Sequence, residues 1–261
     1  MLAVSSLRIE QGVPPGARDL IWQSFFVEAG RGTTFERHLP WYRDADVRSV
    51  VVLDDGVVAA TAVIRPAPQA EVAMIGYVCV DWSRRGQGVG RVLMDTLNDV
   101  VDEQGFRAAL LWTAKPEVYT GRGYVVIGRD RFVRVRSPAS QADDPDGIHV
   151  TDWPDAGTAD GLPAFATGAS RCSTDRATAV CAQGPRGVTL LDWQGEAVDV
   201  AAVLSTAGYT DWSVNLAADD PFVDTLSSHG YTTVESLGAF TMVRRQDVTF
   251  IPHDVPQVAR I

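Results

Sequence analysis

The stretch Val80-Asp81-Trp82-Ser83-Arg84-Arg85-Gly86-Gln87-Gly88-Val89-Gly90-Arg91 follows a strand-like apolar run, Met74 to Val80. It leads into an amphipathic helix with apolar residues at Val89, Val92, Leu93, Leu97, Val100 and Val101. Glycines at 86, 88 and 90 let the backbone come close to a ligand. They also leave the first helical amides pointing outward without partners of their own. Free N–H groups and the positive end of the helix dipole favour an anion. Arg84, Arg85 and Arg91 add fixed positive charge, and a pyrophosphate fits such a site.

Two nucleotide-binding loops fit this stretch badly. A dinucleotide fingerprint needs Gly-x-Gly-x-x-Gly and an acid about 20 residues on. Counting from Gly86, the last position is Arg91, and the next strand, Ala108 to Trp112, has no acid. A P-loop needs Gly-Lys-Ser/Thr, and the only lysine is Lys115. The segment resembles the acyl-CoA loop of the GNAT superfamily of acetyl-CoA-dependent N-acetyltransferases. That pattern, Gln/Arg-x-x-Gly-x-Gly/Ala, is met by Arg85, Gly88 and Gly90.

A second signature lies downstream. Gln104-Gly105-Phe106 reads as a helix stop before the strand Ala108 to Trp112. Then come Pro116-Glu117-Val118-Tyr119-Thr120-Gly121-Arg122-Gly123-Tyr124 and another strand. Tyr119, four residues before Gly123, matches the tyrosine with which the family protonates the departing CoA thiolate. The likeness covers about residues 47 to 136. Trp82 stands where a proline is common, and Thr113 and Ala114 stand where an Asn often touches the cofactor.

The resemblance implies acetyl-CoA as co-substrate, with its pyrophosphate on Arg85, Gly86, Gln87, Gly88, Val89, Gly90 and Arg91. Its pantetheine would pair with the backbone of Val78, Cys79 and Val80 like an added strand, an amide there polarising the thioester carbonyl. An amine would attack directly, with Tyr119 as acid. Glu71, Asp81 and Tyr77 are the candidates for taking the amine's proton. The segment after the first helix often lines the acceptor pocket in this family, which points to Phe25, Phe26, Phe35, Trp41 and Tyr42; Phe26, Trp41 and, from the long strand, Tyr77 are the substrate-binding candidates.

Composition bounds the rest. The 261 residues are 46% apolar, enough for one large or two small domains. No run approaches a membrane span, and Met1 to Arg8 is too short and too soon charged for a signal peptide. Cys79, Cys172 and Cys181 have no metal-type spacing, and the four histidines do not cluster with them. A reduced cytoplasmic protein without metal is expected. A net charge of −10 argues against nucleic acid and suits a cationic substrate.

The first half alternates strands and helices: strand Ser6 to Gln11, helix Ala17 to Ala29, a helical region Thr33 to Tyr42, and a hairpin across Asp54-Asp55-Gly56. The long strand Glu71 to Val80 comes next. Two further strands, Tyr124 to Gly128 and Arg131 to Arg136, end it. The expected fold is α/β, a mixed sheet flanked by helices, in a GNAT-like tandem. Ser137 to Gly147 reads as a linker, dividing a catalytic domain of residues 1–137 from a shortened second domain of residues 148–261.

That second half echoes the first: Asp192-Trp193 and a helix, the strand Trp212 to Leu216, then Pro221 to Ser228 before Gly230-Tyr231. Its loop equivalent, Gln194 to Asp199, carries Glu196 and Asp199 instead of arginines, and Leu226 stands in the tyrosine position. It should not bind acyl-CoA in the family's manner. An N-acetyltransferase for a small amine or amino sugar, a protein acetyltransferase, and a non-catalytic acyl-CoA sensor or scaffold all fit these residues. Retention of both loop and Tyr119 favours an enzyme. The oligomeric state stays open, a homodimer among the options.

Overall fold

The structure is a computed structural model that describes residues 6–30, 32–69, 71–138, 147–154, 160–246, 250, 255 and 259–260. The chain forms two compact units. Met1–Ile127, Ala159–Ala164 and Phe240–Ile261 make the first, and Gly128–Thr158 with Phe165–Ala239 the second. Most of the expected linker, residues 139–146, lies outside the described residues.

In the first unit the strands run in spatial order β1 (Ser6–Gln11), β2 (Arg48–Asp54), β3 (Val57–Pro66), β4 (Val72–Val80) and β5 (Ala108–Thr113). Pairing is antiparallel through β4 and parallel between β4 and β5. The β2–β3 hairpin turns on Asp55 (φ 50°) and Gly56 (φ 80°), the left-handed pair that a two-residue turn requires. Residues 240–245 pair antiparallel with the other edge of β5, from Phe240↔Thr113 to Arg245↔Ala108.

Helices α1 (Pro15–Trp22) and α2 (Phe35–His38) lie ahead of β2 in the chain. Helix α3 (Val89–Glu103) links β4 to β5, and the short α4 (Glu117–Thr120) comes after β5. Val89, Leu93, Met94, Leu97, Val100 and Val101 of α3 bury one apolar face in a cluster with Val50, Ala62, Ile75 and Leu111. Each such side chain contributes about 1.5–3 kcal/mol. A different cluster unites α1, Leu39 and Trp41 with Val51, Val63 and Cys79. Neighbouring strand positions point to opposite sheet faces, so the α1 and α3 clusters occupy opposite sides.

Two local departures from the sequence reading have clear causes. The first helix does not run unbroken to Ala29: after Trp22 it widens into a π turn, Gln23–Val27, in which the Glu28 amide reaches the Gln23 carbonyl at 3.0 Å. The extra residue in the turn rotates the helix face, so Phe26 is fully buried while Phe25 packs against the same cluster only partly buried. The two strands expected between Tyr124 and Arg136 are one, β6 (Val125–Arg136). Its buried Asp130 accepts a hydrogen bond from Asn215 and so stays within the strand.

The second unit orders its strands β6, β11 (Asp211–Leu216), β10 (Gly187–Gln194), β9 (Thr178–Gly184), β8 (Gly168–Ser173) and β7 (His149–Asp152). Helix α5 (Ala197–Thr206) joins β10 to its parallel neighbour β11, and α6 (Phe222–Ser228) comes after it. The sequence β10-α5-β11-α6 thus repeats the path β4-α3-β5-α4. The last strand, β12 (Thr232–Arg245), has its final six residues in the first unit.

Candidate active site

Strand β4 pairs with β5 only at Val72, Ala73 and Met74. Beyond Met74 the two part, and among the described residues no ladder joins 75–80 to β5. The other edge stays on β3, with a bulge where Thr61↔Cys79 gives way to Val63↔Gly76. Tyr77 sits in that bulge at φ 49°, a conformation costing a non-glycine residue about 1–3 kcal/mol. Val78 and Val80 pack on the α3 cluster, Tyr77 and Cys79 on the α1 cluster. Burial pushes the Cys79 thiol up to about 12, which keeps it protonated.

The loop after β4 is braced by its own side chains. Asp81 accepts from the Ser83 hydroxyl and, at 2.9 Å, from the Ser83 amide, and these hydrogen bonds, the hydroxyl's foremost, hold its carboxyl below the usual range. Arg85 Nε donates to the Val80 carbonyl at 3.1 Å, and Gln87 Nε2 to the Ser83 carbonyl at 2.8 Å. Arg84 is bound to Asp54, and Arg91 Nε lies 3.6 Å from Asp95. The arginines therefore serve the loop's shape as well as its charge.

Inside this brace, the amides of Gly86, Gln87, Gly88, Val89 and Gly90 donate no hydrogen bond among the described residues. Gly86 and Gly88 have φ of 74° and 86° with open space where a Cβ would stand. Backbone turned this way gathers successive N–H groups into an anion-binding concavity. Gly90 is different: a Cβ there would lie 3.5 Å from Val80 Cγ2, an ordinary contact.

Tyr119 on α4 packs against the α3 cluster, as do Val78 and Val80, and is edge-on to Tyr124 at 6.1 Å. Its hydroxyl has no hydrogen-bond partner among the described residues, and burial raises its pKa. Asn98 holds the neighbourhood, accepting from the Tyr124 hydroxyl at 3.3 Å and donating to the Arg122 carbonyl at 3.2 Å. The sequence reading missed Asn98, which as one polar residue on an amphipathic helix carries no signal of its own.

On the α1 side, Tyr77 has Phe25 edge-on at 5.3 Å and Trp41 at 6.2 Å. Phe26 is fully buried, its ring 4.6 Å from both Trp22 and His38. Trp41 is also buried, and Arg65 lies over its face at 5.0 Å. Burial lowers the Arg65 pKa against the opposing fields of Asp160, Asp44 and Asp46. Neither Arg65 nor Asp160 was legible beforehand, because Arg65 meets Trp41 and Tyr77, and Asp160 acts on Arg65, only through the fold. Glu71 precedes β4 and is ion-paired with Arg107 at 3.3 Å. At about 3.3 Å per residue, it lies most of a long strand away from Asp81.

An open strand edge running into a loop of free amides, with a phenol on the same core, is the arrangement that the resemblance of the loop and of Tyr119 to the GNAT pattern implies. Residues 15–123 match the acetyltransferase (GNAT) family. These residues form a GNAT-family domain. A GCN5-related N-acetyltransferase from Anabaena variabilis is similar in fold, with a TM-score of 0.65 at 14% identity over 93% of this chain and 74% of that one. One from Kribbella flavida gives a TM-score of 0.61 at 17% identity, over 93% and 71%. A tandem GNAT protein from the clavulanic acid biosynthesis pathway gives 0.58 at 12% identity, over 95% and 100%. The tandem GNAT-like fold is thus shared along nearly the whole chain, and the family's chemistry is acyl transfer. Among the described residues, no group of three or more His, Cys, Asp or Glu could hold a metal, and no helix is long and apolar enough to cross a membrane.

Proposed function

We propose that this protein transfers an acetyl group from acetyl-CoA to a primary amine of a small molecule or amino sugar. We further propose that residues 1–137 hold the catalytic apparatus and that residues 148–261 form a degenerate GNAT-like domain without a cofactor loop. The observation that carries the reading is the run of free amides at residues 86–90, at the end of a strand whose edge beyond Met74 is open.

Acetyl-CoA supplies an activated acyl group as a thioester. The amides of residues 86–90 hold its pyrophosphate, with Arg85 and Arg91 adding charge, and the backbone of Val78 to Val80 orients the pantetheine arm. Tyr119 gives its proton to the sulfur that leaves. Burial keeps that phenol neutral, so the proton is present at physiological pH. Asp81, ionised and at the loop end of β4, receives the amine's proton through water. Glu71, at the other end of the strand and paired with Arg107, is the weaker candidate. Tyr77, with Trp41 and the adjacent Phe26, shapes the acceptor side.

The test measures free thiol released from acetyl-CoA with a panel of amines: putrescine, spermidine, tyramine, glucosamine and a lysine-containing peptide. Release that depends on a small amine supports the reading. Release with the peptide alone favours a protein acetyltransferase. CoA binding without release from any of them favours a sensor.

A further inference from the structure

Trp82 is the side chain of the glycine loop that the acyl-transfer chemistry leaves unused. Its indole is 74% exposed, the highest value among the large apolar side chains described. Around it every other side chain from 81 to 87 is engaged. Asp81 and Ser83 bond each other, Gln87 holds the Ser83 carbonyl, Arg84 pairs with Asp54, and Arg85 bonds the Val80 carbonyl. Trp82 makes no side-chain hydrogen bond or ring contact among the described residues. Its own carbonyl accepts from the Arg85 amide at 3.4 Å, so the indole is mounted on the same tight turn that presents the free amides from Gly86 onward. An indole can bury roughly 150–250 Å² against a partner, and a braced loop presents it with little further ordering.

We propose that Trp82 is a stacking platform for the purine base of CoA. This rests on the acyl-CoA reading of the loop. The chemistry matches, because CoA carries one aromatic base, joined through its ribose to the pyrophosphate that the neighbouring amides would hold. A flat indole accepts a base face without needing hydrogen-bond readout. The position also departs from the family's pattern, where proline is common, so the platform would belong to this chain rather than to the fold.

The experiment compares wild type, Trp82→Ala and Trp82→Tyr by calorimetry with CoA, and by emission of the etheno-adenine analogue of CoA. Stacking a base on an aromatic ring is worth roughly five- to a hundredfold in affinity by alanine substitution. Trp82→Ala should weaken CoA binding by at least about fivefold, while Trp82→Tyr retains most of it. The etheno base should be quenched by wild type and not by Trp82→Ala. Wild-type CoA affinity in Trp82→Ala overturns the proposal. So does weakened binding with etheno emission equal in both proteins, since the indole would then touch another part of the ligand. Failure of wild type itself to bind CoA removes the functional reading and this inference together.

Discussion

Arg84 reaches from the glycine loop to the β2–β3 turn, where its guanidinium lies 2.7 Å from an Asp54 carboxylate oxygen. The aspartate is mostly buried and the arginine half-exposed, so the pair ties the loop's outer end to the hairpin. A partly exposed ion pair is worth about 0.2–1 kcal/mol. Arg84→Ala and Asp54→Asn should each weaken CoA binding only a fewfold. The double variant should be little worse than either single one. Fully additive losses by calorimetry would show that Arg84 acts on the ligand directly and not through Asp54.

The glycines of the loop should not be equivalent. Gly88 holds φ 86° with nothing near its missing Cβ, whereas Gly90 lies within the helix, where a Cβ would make an ordinary 3.5 Å contact with Val80 Cγ2. A left-handed conformation costs an ordinary residue about 1–2 kcal/mol. Gly88→Ala should therefore lower CoA affinity by about tenfold, and Gly88→Asp by more, through charge. Gly90→Ala should bind nearly as wild type. The reverse ranking in a titration series would contradict the assignment of the amides.

Tyr119→Phe keeps the ring against Tyr124 and removes only the hydroxyl. kcat should fall by roughly 10² to 10⁴ with CoA affinity unchanged. Because burial raises the phenol's pKa, the folded protein holds this proton more tightly than the unfolded chain does. Stability should therefore decline as pH rises above the ordinary phenol range, toward the raised folded value. The Phe variant should lose that share of the alkaline decline. An unchanged kcat, where chemistry limits turnover, would reduce Tyr119 to a packing residue.

Binding should saturate at one CoA per chain. In the second unit a Cβ on Gly195, before α5, would lie 2.7 Å from the Arg176 carbonyl. Its own chain thus closes on the loop that corresponds to the pyrophosphate cradle, and Asp199 adds negative charge in the first turn of α5. A stoichiometry of two in calorimetry would overturn this reading of the second half.

Residues 240–245 carry Met242 and Val243 into the first unit's core clusters. A fragment ending at residue 140 lacks that strand, so the edge of β5 and apolar area around Leu110 and Leu111 would be exposed. It should aggregate, and joining residues 238–246 to it through a flexible linker should improve its solubility. A fragment of residues 1–140 that is monomeric and fully active in solution would contradict this.

The geometry of the loop was legible in the sequence because it is local. Alternating glycines determine the backbone of residues 86–90 whatever surrounds them, and the periodic apolar positions of α3 say which face is buried. Tyr119 was legible for a related reason, since its spacing to Gly123 lies within one turn and its loop. Other features required partners far along the chain. Nothing in Phe240 to Arg245 says that it will pair with Ala108 to Thr113, because many apolar stretches could fill that edge and the winner depends on all surfaces competing for it. The π turn that buries Phe26 more fully than Phe25 reflects packing on the strands, not helix propensity. Arg65, Asp160 and Asn98 acquired their surroundings only when distant segments met. Short-range backbone preferences thus determined the loop of free amides and the position of Tyr119, while long-range burial decided which residues complete the sheet and surround Tyr77.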